Sequence, residues 1–144
     1  MEQALYKAAI LTFEEFGFMF PTLELNETEL NADNGAAISV IFSGDMNGQL
    51  VLLIERRMLP VIAANIRGDE APFELEMQRD ALGEIANGIC GNTLPAIAGH
   101  KALFRLDAPQ FMSTSQINEN PDAIARLELE VGRADVLLYL NKYE

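Results

Sequence analysis

Positive charge is scarce in this chain. Ten Lys and Arg stand against 22 Asp and Glu in 144 residues, a net charge of −12. Nucleic-acid binding depends on Lys and Arg neutralising phosphates, so the balance argues against that ligand class. It also disfavours docking on anionic membrane surfaces. Cysteine and histidine are scarcer still, with Cys90 and His100 the only ones. No intrachain disulfide can form, which fits a reducing compartment. One of each cannot build a zinc site of the usual Cys/His kind, so no metal ligand set of the chain's own is expected. No apolar run approaches the ~18 residues of a spanning helix, which predicts no membrane insertion. Glu2 stands where a signal peptide would carry positive charge, so the expected location is cytoplasmic. No P-loop, dinucleotide fingerprint or Ser-His-Asp arrangement can be read.

What remains is an ordinary globular balance of 49% apolar and 22% charged residues. A chain of this size buries roughly 70% of its unfolded surface, enough for one core, and residues 1–144 read as a single domain with no repeat or linker. Residues 2–16 read as a helix, with Leu5, Ala9, Phe13 and Phe16 on one face and Gly17 as its stop. Residues 18–25 are extended and broken by Pro21, and 26–35 are polar and turn-like. Ala36–Phe42 alternates; with 48–54 and the turn Ser43–Gly48 it predicts a hairpin. A short helix at 56–67 tolerates Pro60 only in its first turn and stops at Gly68. A loop at 69–72 leads to a long helical pattern over 73–98, which Pro95 must kink or end. Strands are expected at 101–106, near 110–117, at 125–131 and at 134–141, with a loop at 118–123 and Gly132-Arg133 as the last turn. The sum is an α+β fold, a mostly antiparallel β-sheet with long helices packed on it.

The long helix is the informative element. At about 100° per residue, Leu82, Ile85, Ala86, Ile89 and Thr93 share one arc, the expected buried face. Asp80, Glu84, Asn87 and Gly91 form a narrow polar stripe almost opposite. Glu84 and Asn87, three residues apart, are neighbours on a helix surface. Gly83, Gly88 and Gly91 are costly in one helix, at about 1 kcal/mol each relative to Ala. Two readings stay open. The stripe is an ordinary solvated face, with Gly83 and Gly88 packed on the sheet; or Gly88 and Gly91 flank it as a flat surface for close approach by another protein. Cys90 reads as a buried core thiol rather than a nucleophile, and His100 as a cation near a helix C-terminus.

Asp80-x-x-x-Glu84-x-x-Asn87, with Pro109 after 21 intervening residues, resembles the motif of the CheC/CheX/FliY family of chemotaxis phosphatases. The run LGEIANGICGN (82–92) is similar to the CheX type, and the order of elements agrees along nearly the whole chain. The spacer to Pro109 is one residue shorter than the family pattern. The resemblance implies hydrolysis of the phospho-aspartate of a CheY-like response regulator. Phosphoryl transfer needs positioning and charge neutralisation more than covalent help. By resemblance the regulator's receiver domain brings its own Mg²⁺ and lysine, and this chain needs no cofactor. The same resemblance makes Asn87 the group that orients the attacking water and Glu84 the partner of the regulator's lysine. Asp80, Gly88 and Gly91 would line the partner-binding face, and a homodimer through sheet edges near 101–117 is expected. The alternative is a non-catalytic adaptor or flagellar-switch-like module that docks a receiver through the same helix face without hydrolysis. A small-ligand sensor is a remote third reading.

Overall fold

A hairpin of two consecutive apolar strands sets the frame. In a computed structural model describing residues 1–22, 34–68 and 74–140, β1 (Gly35–Gly44) pairs antiparallel with β2 (Gly48–Glu55) in the register Phe42↔Gly48 to Gly35↔Glu55. Period-2 side-chain alternation sends Ala36, Ile38, Val40 and Phe42 to one face together with Leu50, Leu52 and Ile54, all in the main core. The expectations for residues 23–33, 69–73 and 141 lie outside the described residues.

The remaining strands complete a six-stranded antiparallel sheet. Beyond β2 lie β6 (Gly132–Leu140) and then β5 (Ala123–Leu129). On the other side of β1 lie two short strands, β3 (Phe104–Leu106) and β4 (Gln110–Met112). The edge expected near 101–117 is therefore split. It begins three residues late, and after β4 a capping box at Ser113 turns the chain into a 3₁₀ turn, Thr114–Gln116. At the opposite edge Thr22 N–H donates to Glu128 O at 2.9 Å and Glu130 N–H to Phe20 O at 3.0 Å, so the extended segment around Pro21 pairs beside β5.

Three helices cover one face of the sheet: α1 (Glu2–Gly17), α2 (Leu59–Arg67, entered through a 3₁₀ turn at Arg56–Met58) and α3 (Leu75–Ala98). Pro60 falls in the first turn of α2, and Gly68 ends it in the left-handed region at φ 70°. Leu5, Ala9, Phe13, Ile62, Leu82, Ile85 and Ile89 reach the core. On the opposite face a second, smaller cluster joins Ala37, Val51 and Leu137 to Ile117 of the β4–β5 connection.

Three local expectations are corrected. The left-handed residue after α1 is Phe18 (φ 51°), not Gly17. Gly17 stays helical and buried, and a Cβ there would meet Ile85 Cδ1 at 3.6 Å, an ordinary van der Waals contact. Phe16 is largely exposed rather than on the buried face. The last turn is Glu130-Val131, because Leu129 pairs with Gly132. Gly132 opens β6 at φ 151°, a conformation that suits glycine, and lets Met58 approach, its sulfur 2.9 Å from an added Cβ. Arg133 is a strand residue whose N–H donates to Glu55 Oε1 at 2.9 Å.

Pro95 neither ends α3 nor moves its stop; the helix runs to Ala98, where Gly99 at φ 102° closes it. Proline leaves the carbonyl four residues back without its N–H. That residue is Gly91, exposed and with nothing within 4 Å of an added Cβ. No helix among the described residues is long and apolar enough to cross a membrane.

Candidate functional site

The expected core arc of α3 is buried throughout: Leu82, Ile85, Ala86, Ile89 and Thr93 are inaccessible. Side-chain bonds reinforce the seat. Asn92 Nδ2 donates to Thr12 Oγ1 at 3.0 Å, and Thr12 Oγ1 to Ala8 O at 2.7 Å, tying α3 to α1. A helix held so firmly fixes where its other residues point. Asp80, Glu84 and Gly91 are exposed, while Asn87 is half-buried.

Asn87 is half-buried because the chain after β3 folds over the helix. Asp107 N–H donates to Ile41 O at 2.9 Å, and the following Pro109 seats its ring on Gly83. The ring's Cβ and Cγ lie 3.3 Å from where a Cβ at Gly83 would stand, and Ile38 Cδ1 lies at 3.5 Å. Gly83 thus admits the proline that the sequence motif pairs with Asn87. The result is a cleft of about 370 Å³ between α3 and the β1–β4 edge. Ile38, Pro109 and Phe111 give it an apolar side; Glu84 and Asn87 line it from the helix, with Glu76, Arg79 and Asp80 nearer the N-terminal end of α3.

At Asn87 a polar atom has been left without a partner. Its Oδ1 is buried and accepts no hydrogen bond, the one such side-chain atom among the described residues. A buried unpaired acceptor costs about 1–3 kcal/mol. Glu84 is its neighbour one turn earlier, exposed to solvent. The cleft therefore pairs a neutral acceptor at a sheltered position with a free carboxylate at an open one.

The glycines divide. Gly88 lies under α1, where an added Cβ would meet Thr12 Cγ2 at 2.8 Å and the Phe16 ring at 3.1 Å. It fits helix–helix contact within the chain. Gly91 leaves open surface beyond Asn87. Cys90 is buried, and burial pushes its thiol up to about 12, which keeps it protonated and inert. His100 stands exposed in the turn after α3, outside the cleft. Among the described residues no group of three His, Cys, Asp or Glu gathers as a metal site.

Glu76, Arg79 and Phe111 of the cleft escape the reading of the sequence. Phe111 arrives from β4, and the Arg79 guanidinium stacks over its ring, 4.5 Å from the centroid. Arg79 immediately precedes Asp80, but only the strand pairing Ile38↔Phe111 brings the aromatic beside the helix.

Residues 36–131 match the family model described as chemotaxis phosphatase CheX. No curated protein sequence matches the chain. Among solved structures, chemotaxis protein CheX from Desulfovibrio desulfuricans aligns over 96% of this chain and 97% of that one, with TM-score 0.70 and 16% identity. The CheX–CheY–BeF3–Mg²⁺ complex from Borrelia burgdorferi aligns over 97% of each chain, with TM-score 0.69 and 15% identity. FliY from Thermotoga maritima aligns over 95% of this chain and 84% of that one, with TM-score 0.56 and 16% identity. These likenesses establish a shared fold.

Proposed function

Because this chain belongs to the CheX family of chemotaxis phosphatases, we propose that it hydrolyses the phospho-aspartate of a CheY-like response regulator at the α3 cleft. The observation that carries the reading is the orphaned Oδ1 of Asn87 beside the exposed Glu84. The fold gives Oδ1 no partner that would hold it in place, so the carboxamide on the cleft wall is free to turn about its terminal torsion and present the oxygen to an attacking water.

In this mechanism Asn87 Oδ1 accepts a hydrogen bond from water and aims the oxygen's lone pair along the line of attack. The water oxygen bonds to phosphorus as the bond from phosphorus to the aspartyl oxygen breaks. The regulator recovers its carboxylate, and inorganic phosphate leaves. A carboxamide does this without adding negative charge beside the phosphoryl oxygens. Among the described residues the cleft already carries three carboxylates, Glu76, Asp80 and Glu84, against one guanidinium. Charge neutralisation at phosphorus therefore falls to the receiver, with its own Mg²⁺. A CheY partner with BeF3 and Mg²⁺ accompanies the Borrelia relative, which supports the same assignment here. Glu84 pairs with the receiver's lysine at the open end of the stripe and fixes register. The split β3/β4 edge is the candidate for pairing two copies.

The test is decay of the phospho-aspartate on a receiver from the same organism, with Mg²⁺, with and without this protein and its Asn87→Ala variant. Faster decay that disappears in the variant is the expected result. Binding without acceleration would replace the phosphatase with an adaptor using the same face.

A further inference from the structure

We infer that Arg79 is a specificity-determining residue, a stacked guanidinium that receives a carboxylate on the receiver's docking face; this rests on the function proposed above. Among the described residues Arg79 is the one cation lining the cleft, beside the carboxylates Glu76, Asp80 and Glu84. It does not ion-pair with these neighbours. Its guanidinium instead lies over Phe111, 4.5 Å from the ring centroid, well inside cation–π range. Stacking occupies the face of a guanidinium and leaves its in-plane N–H donors free at the edge. Among the described residues none of this chain's acceptors takes those donors. The result is a pre-oriented fork of the kind that holds a carboxylate through two parallel bonds.

Position decides what the fork reads. Arg79 and Asn87 are eight residues apart, about 12 Å along the helix axis at 1.5 Å per residue. Held on Phe111 and two turns N-terminal to Asn87, the guanidinium is offset from a phosphoryl group at Asn87, so its ligand belongs to the protein surface around the reacting centre. Along α3 the charges run negative, positive, negative, negative at Glu76, Arg79, Asp80 and Glu84. A complementary receiver offers basic groups interrupted by a single acid. In a chain of net charge −12, that inversion gives the docked partner a direction along the helix and rejects receivers with a lysine or arginine at the matching place.

The experiment measures phospho-receiver hydrolysis, and binding of the same receiver activated with beryllofluoride and Mg²⁺, for the intact protein, Arg79→Gln, Arg79→Lys, Arg79→Glu and Phe111→Leu. Arg79→Gln should raise KM and Kd about tenfold, with the loss in KM and not in kcat at saturating receiver. The gap should narrow as salt screens the pair. Arg79→Lys, keeping charge without the fork, and Phe111→Leu, keeping the fork without its support, should fall between. Arg79→Glu should be weakest, and charge reversal at one receiver carboxylate should restore it. If hydrolysis is accelerated but KM and Kd are unmoved in Arg79→Gln and Arg79→Glu, the inference is overturned and the phosphatase stands. If no receiver is dephosphorylated or bound by the intact protein, the proposed function falls and takes this inference with it.

Discussion

Gly88 of α3 lies directly under Thr12 of α1, so close that a Cβ added to the glycine would stand 2.8 Å from Thr12 Cγ2. The Phe16 ring would be 3.1 Å away. Real Cβ contacts do not reach the first distance, so the helices would have to part, while Thr12 is held in place by its bonds to Ala8 and Asn92. Gly88→Ala should therefore destabilise the fold by about 1–3 kcal/mol, overpacking outweighing the gain in helix propensity. Thr12→Ser removes the clashing methyl and keeps the hydroxyl, so adding it should recover part of the loss. Thermal unfolding of the two variants checks this. A midpoint unchanged by Gly88→Ala alone would refute the close contact.

Gly91 makes the opposite case. It is exposed, and an added methyl meets nothing within 4 Å. Gly91→Ala should raise stability by up to about 1 kcal/mol through helix propensity, or a shift of about 2–4 °C in the midpoint for a chain this long. The same methyl stands on the open surface beyond Asn87, where a docked receiver's backbone would come close. Receiver affinity should fall as the midpoint rises. An affinity equal to that of the intact protein would remove Gly91 from the docking face and leave it as the residue one turn before Pro95.

Much of this was legible because local pattern and tertiary packing agree. The hairpin of β1 and β2, the stop at Gly68 and the buried arc of α3 all appear as the sequence suggests. The expected polar stripe contains the cleft residues Asp80, Glu84 and Asn87. The misplacements lie at two glycines. Gly17 and Gly132 look like chain-reversal glycines, yet Gly17 stays helical, and Gly132 opens β6 at φ 151° beneath Met58 instead of making the turn. The turns moved to Phe18 and to Glu130-Val131. Gly88 likewise answers to α1, some seventy positions away in the chain, which no periodicity encodes. The Arg79–Phe111 stack was out of reach for the same reason, since it exists only through the pairing of β4 with β1.

Cys90 offers a pH test that does not involve the cleft. Burial raises its thiol from 9.0 to about 12, so between those values the unfolded chain loses a proton that the folded chain keeps. Stability rises with pH only where the unfolded state binds more protons. Here it binds fewer, so stability should fall as pH climbs above about 9, by up to about 1.4 kcal/mol per pH unit from this group. Tyr139, also raised by burial, adds a loss of the same sign. Denaturant unfolding from pH 8 to 11 should show the decline, and Cys90→Ala should flatten it. Thiol reagents at neutral pH should leave phosphatase activity intact; inactivation of the folded protein would contradict a buried, protonated thiol.

Asn87 carries the sharpest prediction, because stability and function should move in opposite directions. Its buried Oδ1 loses hydration on folding and gains no bond. Asn87→Ala deletes that acceptor, relieving a penalty of about 1–3 kcal/mol, against the loss of a few half-buried contacts. The variant should be at least as stable as the intact protein, yet accelerate phospho-aspartate hydrolysis no faster than buffer, while still binding the activated receiver. Asn87→Asp is nearly isosteric but places a carboxylate beside the phosphoryl oxygens, and it should also be inactive. If the alanine variant were markedly less stable, Oδ1 would have a partner within the fold, and its loss of activity would say nothing about water. A stable, receiver-binding, inactive variant would mean that the protein carries an unpaired acceptor at a standing cost to its own stability, because the reaction supplies the missing donor.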